Sequence, residues 1–439
     1  MTLMRGWRLT FATFGLALIL FTAGAVGILG DHAGGAASTD GGAALPPTAA
    51  SHGDLTAGIA ALQQRLRAFP KDASSWASLG LAYVEQAKAT VNPEYYPKAE
   101  GALAKSLAID TKDNYLAPAG MAALAAARHD FSGALTWANR GIAINNSNPT
   151  LYGALADAAT QLGDYDGSMK AIQRMLDLSP DADALARASY SWELRGDLDQ
   201  ARSLMQRALE DSASPNQVAF ARYYLGDLAL NAGDPTAALG HYQAGLLAAP
   251  SYVALIEGRA KAEQALGNFE AARADFADAV ARVPQPMYVV EYGELLDKMG
   301  RTSEAKTQFK LFATEQKLFA ANGVAADVEP TLFYADHGQP VRALASGVAG
   351  LKSRPFIEMQ DAYAWALHRN GRDAEALTWI TKAMALGTRN ALFAFHAGAI
   401  EAALGHADLA RAHYTEALAI NPHFHLLHAD EARAALVAS

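Results

Sequence analysis

Histidines near the carboxyl end of the chain have the spacing best suited to binding a metal ion. His425 and His428 are three residues apart, so on a helix they would share one face and present their imidazole nitrogens together. A stable site needs a third or fourth ligand, for which His423 or Asp430 is available. The alternative interpretation is that these are ordinary polar residues at the start of a terminal helix. Three further histidines precede the cluster: His396, His406 and His413.

No other arrangement of residues points to catalysis. The sequence contains no G-x-S-x-G, G-x-x-x-x-G-K-[ST] or H-E-x-x-H motif. Its carboxylates are scattered at helical spacings, which is typical of solvated helix faces rather than of an acid–base pair. The chain has no cysteine, which excludes disulfides, cysteine-based zinc sites and thiol catalysis. We therefore expect a non-enzymatic protein that needs no cofactor.

The charge of the chain argues against nucleic acid as a partner. Its 439 residues carry a formal net charge of −9, and runs of Lys or Arg are absent. A nucleic-acid binder usually presents a basic stripe that neutralises phosphates. We expect protein rather than nucleic-acid partners.

The amino terminus has the pattern of an export or anchoring signal. Arg5 and Arg8 precede residues 9–30, an uncharged apolar run of 22 residues. As a helix this run is about 33 Å long, enough to cross a hydrocarbon core of about 30 Å. Since the next Lys or Arg is Arg65, the positive-inside rule predicts a single-pass protein with its bulk outside the cytoplasm. Cleavage after Ala25, which would release a secreted or periplasmic protein, is the alternative.

A linker follows this anchor or signal segment of residues 1–30. Residues 31–53 consist mainly of Gly, Ala, Ser, Thr and Pro, with almost no large apolar side chain. Such a composition cannot bury enough surface to order itself. We expect a flexible tether between the membrane and the rest of the chain.

One small residue recurs at nearly constant spacing through the remaining chain. Its positions are Ala99, Ala134, Ser168, Ala201, Ala238, Ala272, Ala305, Ala343, Ala376 and Ala410. The successive spacings are 35, 34, 33, 37, 34, 33, 38, 33 and 34 residues. Unrelated helices would not keep this phase, so the pattern indicates a repeat protein in which each small residue lets two antiparallel helices approach closely.

Other positions of each repeat have equally clear roles. Glycines stand where the first helix should end in a left-handed turn: Gly163, Gly196, Gly233, Gly267, Gly300, Gly338, Gly371 and Gly405. Acidic or amide residues follow as predicted N-caps of the second helix: Asp164, Asp197, Asp234, Asn268 and Asp373. Prolines prevent the second helix from continuing: Pro180, Pro250, Pro284, Pro355 and Pro422.

The repeat resembles the tetratricopeptide repeat. The stretch from Trp76 to Tyr83 matches the first-helix signature W-x2-L-G-x2-Y, and the stretch from Leu404 to Pro422 matches the second half of a repeat. The resemblance implies an all-α, right-handed superhelical solenoid of about ten helix-turn-helix units behind the N-terminal hydrophobic helix. We assign residues 54–421 to this solenoid and 422–439 to a C-terminal capping helix.

Several irregular places are expected. A half repeat over Ile59 to Phe69 closes one end, and a helix over His425 to Val437 covers the other. The turn between Tyr83 and Ala99 is about seven residues longer than usual. The 37- and 38-residue spacings predict loop insertions or longer helices, and the first-helix signature is eroded between Thr331 and Gly338.

In this family the first helices line a concave surface, which implies a set of partner-binding side chains. These candidates are Asp157, Tyr190, Glu193, Phe220, Tyr223, Asp227, Glu257, Lys261, Glu294, Trp365 and Arg369. The same projection includes Gln161, Asp183, Lys298, Glu358 and Asp361. The mixture of acidic and aromatic residues suits an extended peptide or a partly basic surface. It does not match the Lys/Asn/Arg clamp that related repeats use for acidic carboxyl termini.

Together these features predict a non-enzymatic scaffold or adaptor displayed outside the cytoplasmic membrane. It would bind a peptide or protein on the concave face. The alternative function is that of a metal-handling accessory protein that uses the carboxyl-terminal histidines.

Overall fold

The computed structural model describes residues 52–438, which form helices joined by short turns and loops. The first eleven helices are α1 His52–Ala68, α2 Ala73–Thr90, α3 Tyr95–Ile109, α4 Leu116–Ala127, α5 Phe131–Ile144, α6 Pro149–Gln161, α7 Tyr165–Leu178, α8 Ala182–Glu193, α9 Leu198–Glu210, α10 Pro215–Asn231 and α11 Pro235–Ala248. The next eleven are α12 Val253–Ala265, α13 Phe269–Arg282, α14 Pro286–Lys298, α15 Thr302–Ala321, α16 Val328–Asp336, α17 Pro340–Ser353, α18 Ile357–His368, α19 Asp373–Met384, α20 Ala391–Ala403, α21 Ala407–Ile420 and α22 His428–Ala438.

The helices form ten consecutive hairpins, from α2/α3 to α20/α21, and each hairpin packs against the next. Helix α1 occupies the position of the predicted half repeat, and α22 packs on α21 at the other end. This is the all-α solenoid predicted from the repeat. The predicted anchor or signal segment and nearly all of the predicted linker lie outside the described residues. Within residues 52–438, no helix is both long and apolar enough to cross a lipid bilayer.

The recurring small residue has the role that its spacing predicts. All ten of these residues are buried, with at most 4% of their surface exposed. Close packing of the two helices in each hairpin requires this, because a larger side chain would push the helices apart. The small residue therefore sets the contact distance within every unit.

The hairpin turns also follow the predicted pattern. All eight predicted glycines have positive φ, between 71° and 81°, a conformation that costs other residues about 1–2 kcal/mol. The side chains of three predicted caps accept a backbone N–H in the first turn of the next helix: Asp164, Asp197 and Asp234. Asn268 is a cap residue without such a bond. The prediction for Asp373 is wrong, because Arg372 is the cap residue and Asp373 is the first residue of α19.

The irregular spacings appear as changes in helix length. Helix α2 ends at Thr90 and Val91 is its C-cap, with a φ of 51°. The extra residues therefore lengthen a helix rather than a turn, contrary to the prediction. Helices α10 and α15 have 17 and 20 residues, which accounts for the two long repeat spacings. Helix α16, where the signature is eroded, has only 9 residues.

The solenoid winds tightly enough to contact itself one superhelical turn later. The Ile357 amide donates to the Tyr165 hydroxyl at 2.9 Å, although the two residues are 192 positions apart. Asn421 donates to the Leu230 carbonyl at 2.8 Å across 191 positions, and Thr388 donates to the Leu194 carbonyl across 194. We call this contact the seam. It joins residues 161–165, 194–196 and 230–233 to residues 354–357, 387–390 and 420–422.

Candidate protein-binding interior

The candidate partner-binding residues lie where the repeat places them, on the first helices of successive hairpins. They are distributed over α6, α8, α10, α12, α14 and α18, and Arg369 directly follows α18. These helices line the inside of the superhelix. The sequence therefore identified a set of side chains that share one surface of the solenoid.

That surface is not the open groove that we expected. Six of the eleven candidates are buried: Phe220, Tyr223, Asp227, Glu257, Glu294 and Trp365. Four are half-buried, namely Asp157, Tyr190, Glu193 and Lys261, and only Arg369 is exposed. The physical reason is the seam, since a superhelix that contacts itself encloses its inner surface. The expectation of an accessible face is corrected accordingly.

Charged side chains of the first interior helices pair with one another. Arg187 on α8 donates from two nitrogens to the two carboxylate oxygens of Asp157 on α6, at 3.0 and 2.9 Å. Its third contact is the Asp183 carbonyl at 3.2 Å. Only 2% of Arg187 is exposed, so this bidentate pair replaces the water that both charges lose on folding.

A second buried network joins α10, α11 and α12. The Tyr242 hydroxyl donates to Asp227 at 2.8 Å, and the Lys261 ammonium lies 3.8 Å from Asp227 and 3.2 Å from Glu257. Burial raises the pKa of Glu257, and it raises that of the neighbouring Glu291 further because the charge of Glu257 adds to the effect. Lys261 is therefore the shared counter-ion of several carboxyl groups.

The third network surrounds Trp365 on α18. Its indole N–H donates to Asp336 at 2.7 Å, and its ring stacks on His396 with centroids 4.2 Å apart. His396 in turn lies 2.8 Å from Asp361, while the Arg369 guanidinium donates to the Ala335 carbonyl at 3.2 Å. Trp365 therefore organises the interior instead of presenting its ring to solvent.

A cavity of about 330 Å³ remains beside the seam. Carboxyl groups from three elements line it: Glu193 at the end of α8, Glu329 in α16 and Glu358 in α18. Arg354 also lines it, donating to Gln161 at 2.6 Å and pairing with Asp327. The volume is at the small end of the range of about 300–1,000 Å³ typical of ligand pockets.

The carboxyl groups of this cavity have raised pKa values. Burial raises the pKa of Glu193 to about 8, with the charges of Asp227 and Glu358 adding to the effect. Burial also raises the pKa of Glu329 to about 8 and that of Glu358 to about 7. A cation entering the cavity would favour their ionised forms. The chemistry of the cavity therefore suits a positively charged group.

The histidine cluster differs from its predicted arrangement. Helix α22 begins at His428, so His425 lies in the preceding turn and not on the same helix face. Asp430 pairs with Lys298 at 2.8 Å and with Arg433 at 2.7 Å. The residue that joins His425 and His428 is Asp336, from the end of α16.

Sequence reasoning missed several interior residues. Arg354, Asn421, Asp327 and Glu329 lie in or beside segments between hairpins and have no fixed place in the repeat. The contacts of Arg354 and Asn421 across the seam span nearly 200 residues, and no local spacing signals them. Asp336 was missed for the same reason, since its histidine partners are about 90 positions away.

Comparison with known families agrees with this architecture. Residues 154–217, 185–253 and 258–311 match the family model described as tetratricopeptide repeat. Together with the ten hairpins of the structure, these matches show that the chain contains tetratricopeptide repeats. A search of the curated proteins finds no match.

Three solved structures show remote similarity to this chain. TTC0263, a tetratricopeptide-repeat protein of Thermus thermophilus, is 19% identical, covering 44% of this chain and 98% of its own, with a TM-score of 0.38. The human IFIT1 dimer with PPP-AAAA is 14% identical over 94% and 96% of the two chains, with a TM-score of 0.44. Yeast Tom70 is 15% identical over 88% and 96%, with a TM-score of 0.36.

Proposed function

We propose that this tetratricopeptide-repeat protein is a non-catalytic scaffold that holds a basic segment of a partner protein at the cavity beside the seam. The observation that carries the proposal is the convergence of Glu193, Glu329 and Glu358 on one space. Of the two arginines in the lining, Arg354 already binds Gln161 and Asp327, and Arg389 is exposed. The Tyr190 hydroxyl donates to one oxygen of Glu358 at 3.4 Å. The other oxygen of Glu358 has no hydrogen-bond partner in the described structure and is available to a cation from a partner.

The size of the cavity defines what part of a partner enters it. A space of about 330 Å³ accepts one long side chain with its adjoining backbone rather than an extended peptide of several residues. A lysine or arginine side chain fits the carboxyl groups, which gain a charged partner and release protons on binding. Residues around the seam would then contact the flanking part of the partner.

The same proposal includes display of the solenoid outside the cytoplasmic membrane. It is supported by Arg5 and Arg8, by the uncharged run 9–30, and by the absence of Lys and Arg until Arg65. The test is a reporter enzyme that works only after export, fused at Ser439. We expect this fusion to show reporter activity. Activity of a reporter that works only in the cytoplasm would contradict this part of the proposal.

The binding proposal is tested by capture from detergent-solubilised membranes, comparing the wild type with the Glu193→Gln/Glu358→Gln variant. Glutamine keeps the shape of each side chain and one accepting oxygen but cannot become anionic. We expect partners captured by the wild type to be lost from the variant, and peptides from their basic segments to bind it about 10-fold or more weakly, a loss of at least about 1.4 kcal/mol.

The matched control is Asp166→Asn/Asp199→Asn, which makes the same carboxyl-to-amide change on two side chains that are 93% and 96% exposed. Binding by this control should equal that of the wild type. Equal loss in both variants would show a non-specific charge effect and contradict the proposed site. Replacing the partner's lysines by acetyl-lysine should also abolish binding.

A further inference from the structure

Three potential metal ligands from separate parts of the chain meet beside the carboxyl-terminal helix. Asp336 ends α16, His425 lies in the turn before α22, and His428 is the first residue of α22. One ligand atom from each lies within 4.8 Å of the others. The fold has therefore assembled two imidazoles and one carboxylate around a common point.

The separation of the ligand atoms suits a small tetrahedral ion. His428 Nε2 and Asp336 Oδ1 are 3.3 Å apart. With zinc–nitrogen and zinc–oxygen bonds of about 2.0–2.2 Å, two ligands of a tetrahedral site are about 3.3 Å apart. His428 Nε2 is buried and has no hydrogen-bond partner of good geometry in the described structure. The ligand atom of His425 lies within 4.8 Å of the other two.

Outer contacts hold these ligands in place. The other ring nitrogen of His428, Nδ1, lies 3.0 Å from a carboxylate oxygen of Glu431, the arrangement that orients many metal-binding histidines. Asp336 accepts a hydrogen bond from the Trp365 indole at 2.7 Å. His425 stacks on His428 with ring centroids 4.6 Å apart. Glu431 and Trp365 therefore contact the ligands and are not ligands themselves.

One member of the cluster borders a cavity. His425 lines a space of about 140 Å³ together with His423, Lys261, Glu291 and Glu294. Asp336 and His428 do not line this cavity.

We propose that Asp336, His425 and His428 bind one Zn²⁺ ion, with Glu431 and Trp365 positioning the ligands. Two imidazoles and a carboxylate form a donor set that suits zinc. The ion connects α16 to the turn before α22, the turn whose Asn421 bonds to Leu230 at the seam. Zinc therefore attaches the terminal helix to the solenoid and holds the adjoining end of the seam. This site is independent of the carboxyl groups proposed to bind a partner.

The test titrates zinc chloride into the full chain, without a polyhistidine tag, in detergent after removal of metals. We expect one zinc per chain, and increased protection of residues 421–438 from hydrogen exchange when zinc is bound. Asp336→Asn retains an acceptor for the Trp365 indole but removes the anionic ligand, so binding should be lost. Glu431→Gln, at a side chain that is 60% exposed, should weaken binding about 10- to 100-fold.

His413→Ala is the matched control, because His413 pairs with Glu416 at the same three-residue spacing, 3.4 Å away. Its zinc affinity should equal that of the wild type. The proposal is overturned if the wild type does not bind zinc. It is also overturned if Asp336→Asn and Glu431→Gln bind as tightly as the wild type, or if His413→Ala loses binding as well. Cobalt in place of zinc should give the intense visible absorption of a tetrahedral site in the wild type and not in Asp336→Asn.

Discussion

Buried ionisable side chains in this solenoid differ in whether they have a partner. Arg187 and Asp157 satisfy each other through two hydrogen bonds, and removing one partner of such a pair typically costs about 3–5 kcal/mol. Glu315 on α15 is the opposite case. Only 1% of it is exposed, neither carboxyl oxygen has a hydrogen-bond partner in the described structure, and burial raises its pKa to about 9.

Glu315 should make the protein less stable as pH rises. In the folded chain Glu315 keeps a proton that the unfolded chain releases above the ordinary pKa of 4.5. The free energy of unfolding therefore falls as pH rises from 4.5 to about 9. Glu315→Gln carries no titratable proton. The free energy of unfolding of Glu315→Gln minus that of the wild type should therefore grow by up to about 1.4 kcal/mol per pH unit across that range.

Urea unfolding of the wild type and Glu315→Gln at pH 5 and pH 8 checks this expectation. Glu304→Gln on the same helix is the control, since the Glu304 side chain is 51% exposed. The difference between wild type and control should not grow with pH. A constant difference between wild type and Glu315→Gln would show that Glu315 is ionised in the folded protein.

At the scale of the element, one hairpin design is used with small variations. The left-handed residue of the turn is glycine in eight hairpins, but it is His129 in the hairpin α4/α5 and Val91 after α2. His129 is buried and lies 3.3 Å from Asp327, near the seam. Its side chain contributes a contact that glycine could not make, which accounts for a turn that departs from the repeat.

Two neighbouring turns separate the contribution of an N-cap from that of the turn itself. Asp234 caps α11 by accepting from the Ala237 amide at 2.9 Å, while Asn268 occupies the same position before α13 without a side-chain cap bond. Asp234→Ala should lower the free energy of unfolding by about 1 kcal/mol. It should also accelerate hydrogen exchange at Ala237.

Asn268→Ala is the control for this substitution. It should lower the free energy of unfolding by clearly less than Asp234→Ala does. Denaturant midpoints of the two variants provide the comparison. If they fall equally, the cap bond of Asp234 does not contribute to stability.

At the scale of the whole molecule, the seam decides what the interior can do. It converts a groove into an enclosed space and leaves cavities of about 330 and 140 Å³ beside it. Its hydrogen bonds are few, and a neutral hydrogen bond contributes only about 0.5–1.5 kcal/mol. Apolar packing adds to these bonds, since Leu194 lies in one buried cluster with Ile357 and Phe393 from the other side of the seam.

Gly196 tests the seam directly. Its φ is 76°, and an added Cβ would overlap the Gly387 carbonyl oxygen on the other side of the seam. Gly267 has a φ of 81° and no atom within 4 Å of such a Cβ. Both glycine-to-alanine substitutions incur the cost of a left-handed backbone, about 1–2 kcal/mol, but only Gly196→Ala also disturbs the seam.

We expect Gly196→Ala to be less stable than Gly267→Ala, to have a larger radius of gyration by solution scattering, and to exchange amide hydrogens faster at residues 387–390. Equal stability and equal size of the two variants would show that the seam does not hold in solution.

The sequence by itself determined the repeat, because each repeat is a local unit. Small residues such as Ala238, turn glycines and N-cap aspartates act within one repeat of about 34 residues, so their spacing predicts hairpins directly. It also identified which side chains share the inner surface. Whether that surface is open, and which residues meet there, depends on the superhelical pitch.

Only the tertiary structure decided the seam, the cavity carboxylates and the third metal ligand. The pitch is the sum of small rotations between ten hairpins, so a slight change at each joint moves Asn421 far from Leu230. Asp336 meets His425 and His428 for the same reason. Local spacing defines the unit, whereas the accumulated geometry of all units defines which distant residues form a site.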